Sequence, residues 1–211
     1  MSGPTAFQIE VARLFFSLPA SKGFLIAGGG ALLATGLTSR PTQDLDFFGE
    51  MGQVNISEAR EQFLRAATNR HWKCKVIQSD ELFVRMHVKG TEEVLVDIAI
   101  DVAARFPSQI SVLGPTFNHE ELAGRKMLAL FDRAEARDFA DVFALAKHFS
   151  KELLLLRASE LEVSLETEVL AAMMRSLSRF SDDELPIDQS STDELRNFFA
   201  VWANELDSAI Q

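Results

Sequence analysis

Asp44 and Asp46 stand two apart in the run Asp44-Leu45-Asp46-Phe47-Phe48. In an extended strand, residues i and i+2 point to one face. The two carboxylates would then lie side by side, about 7 Å apart by strand rise. Their repulsion calls for a cation, and a hard divalent ion such as Mg²⁺ or Mn²⁺ suits oxygen donors. Ions held this way can clamp the attacking and leaving oxygens of a phosphoryl transfer. Taken alone, an Asp-x-Asp is better explained as a solvated strand end than as a metal site.

The surroundings sharpen the reading. Gly28-Gly29-Gly30 follows the apolar run Phe24-Leu25-Ile26-Ala27 and precedes Ala31-Leu32-Leu33-Ala34, a strand-to-helix junction. Glycines let the backbone approach a phosphate, and a helix start offers unpaired N–H groups. Arg40 and Thr42 lie just before the acidic pair. A guanidinium there would bind a phosphate or neutralise the aspartates, and an exposed loop arginine is the plain alternative. Asp97, inside Val94-Leu95-Val96-Asp97-Ile98-Ala99-Ile100, is a charge within an apolar strand, which is costly unless paired or metal-bound. It is the expected third metal ligand, with Asp101 as the alternative. Further along, Lys126, Arg133, Arg137, Asp138 and Asp141 recur through residues 121–145. Lys126 and Arg133 are two helical turns apart and so share a face, where they would neutralise a triphosphate. A surface pair of Arg137 with Asp141 is the plain alternative for the rest. The four histidines show no metal-ligand spacing.

The elements that must position these groups read as follows. Apolar spacing gives a helix over 5–17, ended by Pro19. Strands are expected at 23–29 and 44–50, with the first helical turns over Ala31–Leu37 between them. Ser57 is placed as the cap of a helix running to about Arg70. Three strands follow at about 73–78, 82–89 and 93–100. The second alternates, with Phe83, Arg85, His87 and Lys89 on one face and Val84, Met86 and Val88 on the other. After 115 the pattern is helical, opening on a capping box of Asn118 and Glu121. Helices are expected to about Phe131, over 135–149, within 150–180 and over 192–208, with 181–192 as a polar linker. The fold class is therefore α/β (α+β): a small mixed sheet with flanking helices, then a C-terminal helical bundle. Two parts are expected, a catalytic core over 1–115 and a helical part over 116–211, whose residues 116–150 contribute to the active site.

Composition limits the partners. The chain has 211 residues and a net charge of −10. Residues 1–150 carry 16 basic and 18 acidic side chains, whereas 151–211 carry 5 and 13. A dedicated DNA-binding protein is disfavoured by the acidic second part, but a single nucleic-acid groove in the near-neutral first part is not. One cysteine, Cys74, excludes an intrachain disulfide and a cysteine-based zinc site. No apolar run reaches the roughly 20 residues of a membrane span, and no basic-then-apolar leader opens the sequence. No membrane association and a cytoplasmic location are expected.

Paired glycines with alanine, then Arg40-Pro41-Thr42-Gln43-Asp44-Leu45-Asp46-Phe47-Phe48, then Lys126, Arg133 and Arg137-Asp138-Phe139-Ala140-Asp141, together resemble the AbiEii/AbiGii toxin-type nucleotidyltransferases, MenT-like members included. That family lies in the DNA polymerase β-like nucleotidyltransferase superfamily. The resemblance covers about residues 23–150. It implies a nucleotidyltransferase core, a nucleoside triphosphate substrate held at Gly28, Gly29 and Gly30 with Arg40, Thr42, Arg133 and Asp138, and a metal-binding pair, Asp44 and Asp46. Lys126 matches a lysine that holds the triphosphate, and Asp141, or Asp138, an essential acid. It further implies a cognate antitoxin and transfer of a nucleotide to the 3′ end of an RNA, such as the tRNA acceptor stem, which blocks translation. One departure stands out: the hydroxyl residue usual after the paired glycines is Gly30 or Ala31 here. Transfer to a small molecule such as an aminoglycoside, or to a protein side chain, is the alternative enzyme reading. A non-catalytic binding module is the alternative from another class.

Overall fold

The computed structural model describes residues 3–208. By its internal contacts the chain divides after His119 into two compact units.

The first unit is built on one seven-stranded sheet. Its strands are β1 (Phe24–Ala27), β2 (Asp44–Glu50), β3 (Lys73–Ser79), β4 (Phe83–Lys89), β5 (Glu93–Asp101), β6 (Gln109–Ser111) and β7 (Gly114–Thr116), in the order β3-β4-β5-β2-β1-β7-β6. The sheet is mixed: β2 runs parallel to β5 and β1 parallel to β7, while the other neighbours are antiparallel. Helices α1 (Ala6–Phe16), α2 (Gly28–Ala34) and α3 (Ile56–Asn69) complete the unit.

One face of the sheet is apolar and covered. Leu45, Phe47, Val84, Met86, Val88, Val94, Val96 and Ile98 are all buried. Phe15 of α1 stacks on Phe47 with ring centroids 3.9 Å apart, and Phe63 of α3 closes on Phe15. The strand period of two then forces Asp44, Asp46, Arg85, His87 and Asp97 onto the opposite face. Burying the apolar set is what turns the charged set toward the chemistry.

Helix ends are set by local chemistry. Thr5 and Gln8 form a reciprocal capping box at the start of α1. Gln8, itself buried, also donates from Nε2 to the Thr42 carbonyl at 2.7 Å. The same residue thus caps a helix and tethers the loop that precedes the acidic pair. Helix α1 ends at Phe16 with Ser17 as its C-cap, before Pro19, which opens a short 3-10 turn. The cap of α3 is Asn55, whose side chain accepts from the Glu58 N–H at 2.9 Å, and not Ser57. Asparagine is as good a cap as serine, and the true helix starts two residues earlier than expected. Strands β6 and β7 are three residues each, too short to show a period in sequence.

The second unit is helical: α4 (His119–Asp132), α5 (Ala136–Leu145), α6 (Lys151–Leu161), α7 (Thr167–Arg175) and α8 (Thr192–Ser208). Its core is aromatic, with Phe139, Phe199 and Trp202 buried and Phe139 meeting Phe199 edge-on at 5.1 Å. Gly124 lets α4 approach α6, since a Cβ there would lie 2.8 Å from the Arg157 carbonyl. The polar segment 181–192 holds two short 3-10 turns, Asp182–Glu184 and Gln189–Ser191. Among the described residues no helix is long and apolar enough to cross a membrane.

Candidate functional site

Two groups of residues carry chemistry, one in each unit. In the sheet unit, antiparallel pairing sets Ala27 opposite Asp46. Helix α2 begins at the next residue, so the glycines form its first turn and not a loop before it. Gly28 takes φ +60°. A Cβ at Gly28 would overlap the Asp46 carboxylate, so only glycine admits both that backbone conformation and that neighbour. A Cβ at Gly29 would lie 2.9 Å from Arg40 Nη2 and 3.4 Å from Thr42 Oγ1. The triplet, Arg40, Thr42 and the acidic pair are therefore one constellation. The Thr42 hydroxyl accepts from the Asp44 N–H at 3.3 Å, fixing the entry to β2.

Asp44 and Asp46 are half-buried on the open side of β2. Parallel register sets Asp97 of β5 directly beside Asp46, and Asp101 beside Glu50. Asp101 is four residues further along the strand, about 13 Å away. Asp97 is buried, and its charge is met by Arg85 of β4, its cross-strand partner. Arg85 donates from Nε to Asp97 Oδ1 at 2.9 Å and from Nη2 to Oδ2 at 2.6 Å. These bonds push the Arg85 guanidinium pKa up against the opposing effect of burial, and the charges of Asp97, Asp44 and Asp46 add to the rise. Arg85 thus pairs with the third carboxylate of the row, a role the sequence left unassigned. Only the β4/β5 register reveals it.

The donor set can be tested against a divalent ion. Asp44 and Asp46 fit: both offer oxygens on one strand face, half-buried, beside the glycine turn. Asp97, expected as the third ligand, spends both oxygens on Arg85 in this arrangement. Among the described residues no group of three or more histidine, cysteine, aspartate or glutamate side chains is arranged around a common metal position.

The second group joins α4 to α5. Lys126 is buried, with Nζ 2.9 Å from Asp141 Oδ2 and 3.4 Å from Asp138 Oδ1. Arg133 grips Asp138 from Nε at 2.9 Å and Nη2 at 3.0 Å. Arg133 lies in the turn after α4, so it meets Lys126 through a shared carboxylate and not as a neighbour on one helix face. Asp138 and Asp141 are both fully buried. Burial alone would raise the Asp138 pKa. The Arg133 hydrogen bonds, the Lys126 and Arg133 charges and the Glu135 N–H overcome it and hold the carboxyl below the usual aspartate value. Arg137, the alternative surface partner of Asp141, has Nε 2.8 Å from Glu135 Oε2.

The family model described as nucleotidyl transferase AbiEii toxin, type IV toxin–antitoxin system, matches residues 13–206. The chain belongs to that family. No curated protein matches it. Among solved structures it is similar in fold to JHP933 from Helicobacter pylori, at 17% identity and TM-score 0.55, covering 97% of this chain and 95% of that one. It is similar to MenT4, a nucleotidyltransferase toxin from Mycobacterium tuberculosis, at 14% identity and TM-score 0.55, covering 96% and 89%. It also resembles the antibiotic-resistance factor ANT(2″)-Ia, at 13% identity and TM-score 0.51, covering 82% and 98%.

Two outcomes follow from the Lys126 group. Removing one partner of a buried ion pair leaves an uncompensated charge, at a cost of about 3–5 kcal/mol. Lys126→Ala should lower the unfolding free energy by that order in urea titration, and a loss below about 1 kcal/mol would contradict the geometry. Because the folded Asp138 pKa is depressed, its contribution is complete above the unfolded value, about 3.9, and is lost as pH falls through the folded value. Arg133→Gln should therefore move acid unfolding, followed by circular dichroism, to higher pH. An unmoved midpoint would show that Arg133 does not stabilise this carboxylate.

Proposed function

We propose that this AbiEii-family nucleotidyltransferase toxin transfers a nucleoside monophosphate from a nucleoside triphosphate to the 3′ end of an RNA, the tRNA acceptor stem foremost, and so blocks translation. The observation that carries the reading is the constellation in the sheet unit. A glycine turn, a guanidinium, a threonine hydroxyl and two strand-borne carboxylates converge within side-chain reach.

Each group has a part in that reaction. The 3′-hydroxyl oxygen of the acceptor attacks the α-phosphorus and gives up its proton to solvent, the bond from that phosphorus to the bridging oxygen breaks, and pyrophosphate leaves. Gly28, Gly29 and Gly30 give the triphosphate close backbone contact, and Arg40 meets its charge. Asp44 and Asp46 would hold Mg²⁺ or Mn²⁺, an ion that would supply neutralisation of phosphate charge. Asp97 stays with Arg85 and braces the row beside Asp46. Lys126, which the family resemblance assigns to the triphosphate, is held in the helical unit by Asp141 and Asp138. A cognate antitoxin is the partner that restrains the activity in the cytoplasm.

A second enzyme reading has two observations behind it. The fold is similar to that of ANT(2″)-Ia, and residues 151–211 carry 5 basic against 13 acidic side chains, a composition suited to a cationic small molecule.

Purified protein with Mg²⁺, each of four α-labelled nucleotides and total tRNA separates the readings. The expected result is label at the tRNA 3′ end with one nucleotide preferred. Asp46→Asn should be slower by about 10³-fold, the order of several kcal/mol of lost charge stabilisation. Label on an aminoglycoside and not on RNA would decide for the small-molecule reading. No transfer to any acceptor would end both.

A further inference from the structure

The open face of the sheet continues outward from Asp44 and Asp46, and its residue rows can be read from the strand registers. Asp44 is level with Leu95 of β5, His87 of β4 and Lys75 of β3. One step along, Glu93, Lys89 and Lys73 form the adjoining row. Paired residues share a face. Lys73, Lys75, His87 and Lys89 therefore stand on the same side as the acidic pair, and all four are exposed. Arg85 completes the strip on the inner side. Opposing charge on it comes from Glu93, which takes Lys89 at 2.5 Å and has the His87 ring nitrogen at 3.9 Å, and from Asp97, which is bound to Arg85.

We infer that this strip on β3 and β4 is a track for the phosphate backbone of a polynucleotide acceptor. The inference rests on the proposed nucleotidyl transfer and names the surface that recognises its acceptor. Three features support it. Strand β3 is an edge strand, so a chain can run off the sheet there without crossing protein. The strip is cationic in a chain whose net charge is −10, so it is a local departure and not part of a general basic surface. It also points the right way. From β2 across β5 and β4 to β3 is about 14 Å at strand spacing. That equals the rise of about four stacked nucleotides at 3.4 Å each. An RNA whose terminal hydroxyl lies at Asp44 and Asp46 thus places its next few phosphates over His87, Lys75 and Lys73. Backbone contacts of this kind carry no base information, so the track sets affinity and direction while the end of the chain sets specificity.

The test is binding, measured without nucleotide so that it stands apart from catalysis. Full-length wild type, the Lys73→Glu/Lys75→Glu double variant and Arg65→Glu are titrated with labelled total tRNA at several salt concentrations. Arg65 is exposed on α3, which packs on the covered face, so it controls for a charge reversal placed off the track. The double variant should bind about tenfold or more weakly, and its log–log salt slope should fall by about 1.4–1.8, two phosphate contacts' worth. Arg65→Glu should match wild type. Equal binding and slope in the double variant, or an equal loss in Arg65→Glu, overturns the track. Wild type that binds tRNA through the track yet labels no RNA would instead overturn the transfer reading.

Discussion

The Asp46 carboxylate occupies the space that any side chain at Gly28 would need, and the sheet unit is arranged around that contact. Antiparallel pairing of Ala27 with Asp46 brings the end of β1 level with the acidic pair. Parallel pairing of Asp46 with Asp97 then aligns a third carboxylate on the other side. Neither pairing can slip by one residue without turning Leu45 and Phe47 out of the core, where both are fully buried and Phe47 stacks on Phe15 of α1. Packing on one face of β2 therefore fixes chemistry on the other. Gln8 extends this control to the approach loop, since it holds the Thr42 carbonyl from the start of α1.

Charge is handled differently in the two units. In the sheet unit the acidic pair is only half-buried, and the buried Asp97 is matched by a bidentate arginine. In the helical unit Asp138 and Asp141 are wholly buried and meet Lys126, with Arg133 as a second cation on Asp138. Buried carboxylates of this kind contribute little net stability over apolar packing, but they are expensive to disrupt. A substitution there perturbs folding as well as function, so activity loss at Lys126 must be read beside a stability measurement.

Much of this was legible in the sequence because it is local. The strand expected over 44–50 matches β2, Asp44–Glu50. The face of β4 bearing Arg85, His87 and Lys89 followed from its alternating pattern. What escaped depends on partners distant in the chain. Arg85 reads as one exposed residue of an alternating strand until the β4/β5 register sets it opposite Asp97, twelve positions away. The same holds for Lys126, whose two carboxylates lie on the next helix. Asn55 and Ser57 are both acceptable caps, and only the tertiary placement of Ile56 in the core selects the earlier one. Strand β7 joins the sheet at Ile26 of β1 and carries β6 as its antiparallel neighbour, and neither strand is long enough to show a pattern of its own.

Gly28 makes room for Asp46, and that contact joins the glycine turn and the acidic pair into one site. Gly28→Ala tests the contact, with single-turnover nucleotide transfer and urea unfolding measured on the same preparation. Displacing a reacting group by about 1 Å costs roughly 10²-fold in rate. A methyl group at Gly28 should slow transfer by that order or more. Its left-handed conformation should cost only about 1–2 kcal/mol of stability. A folded Gly28→Ala protein that transfers nucleotide at the wild-type rate would contradict the account.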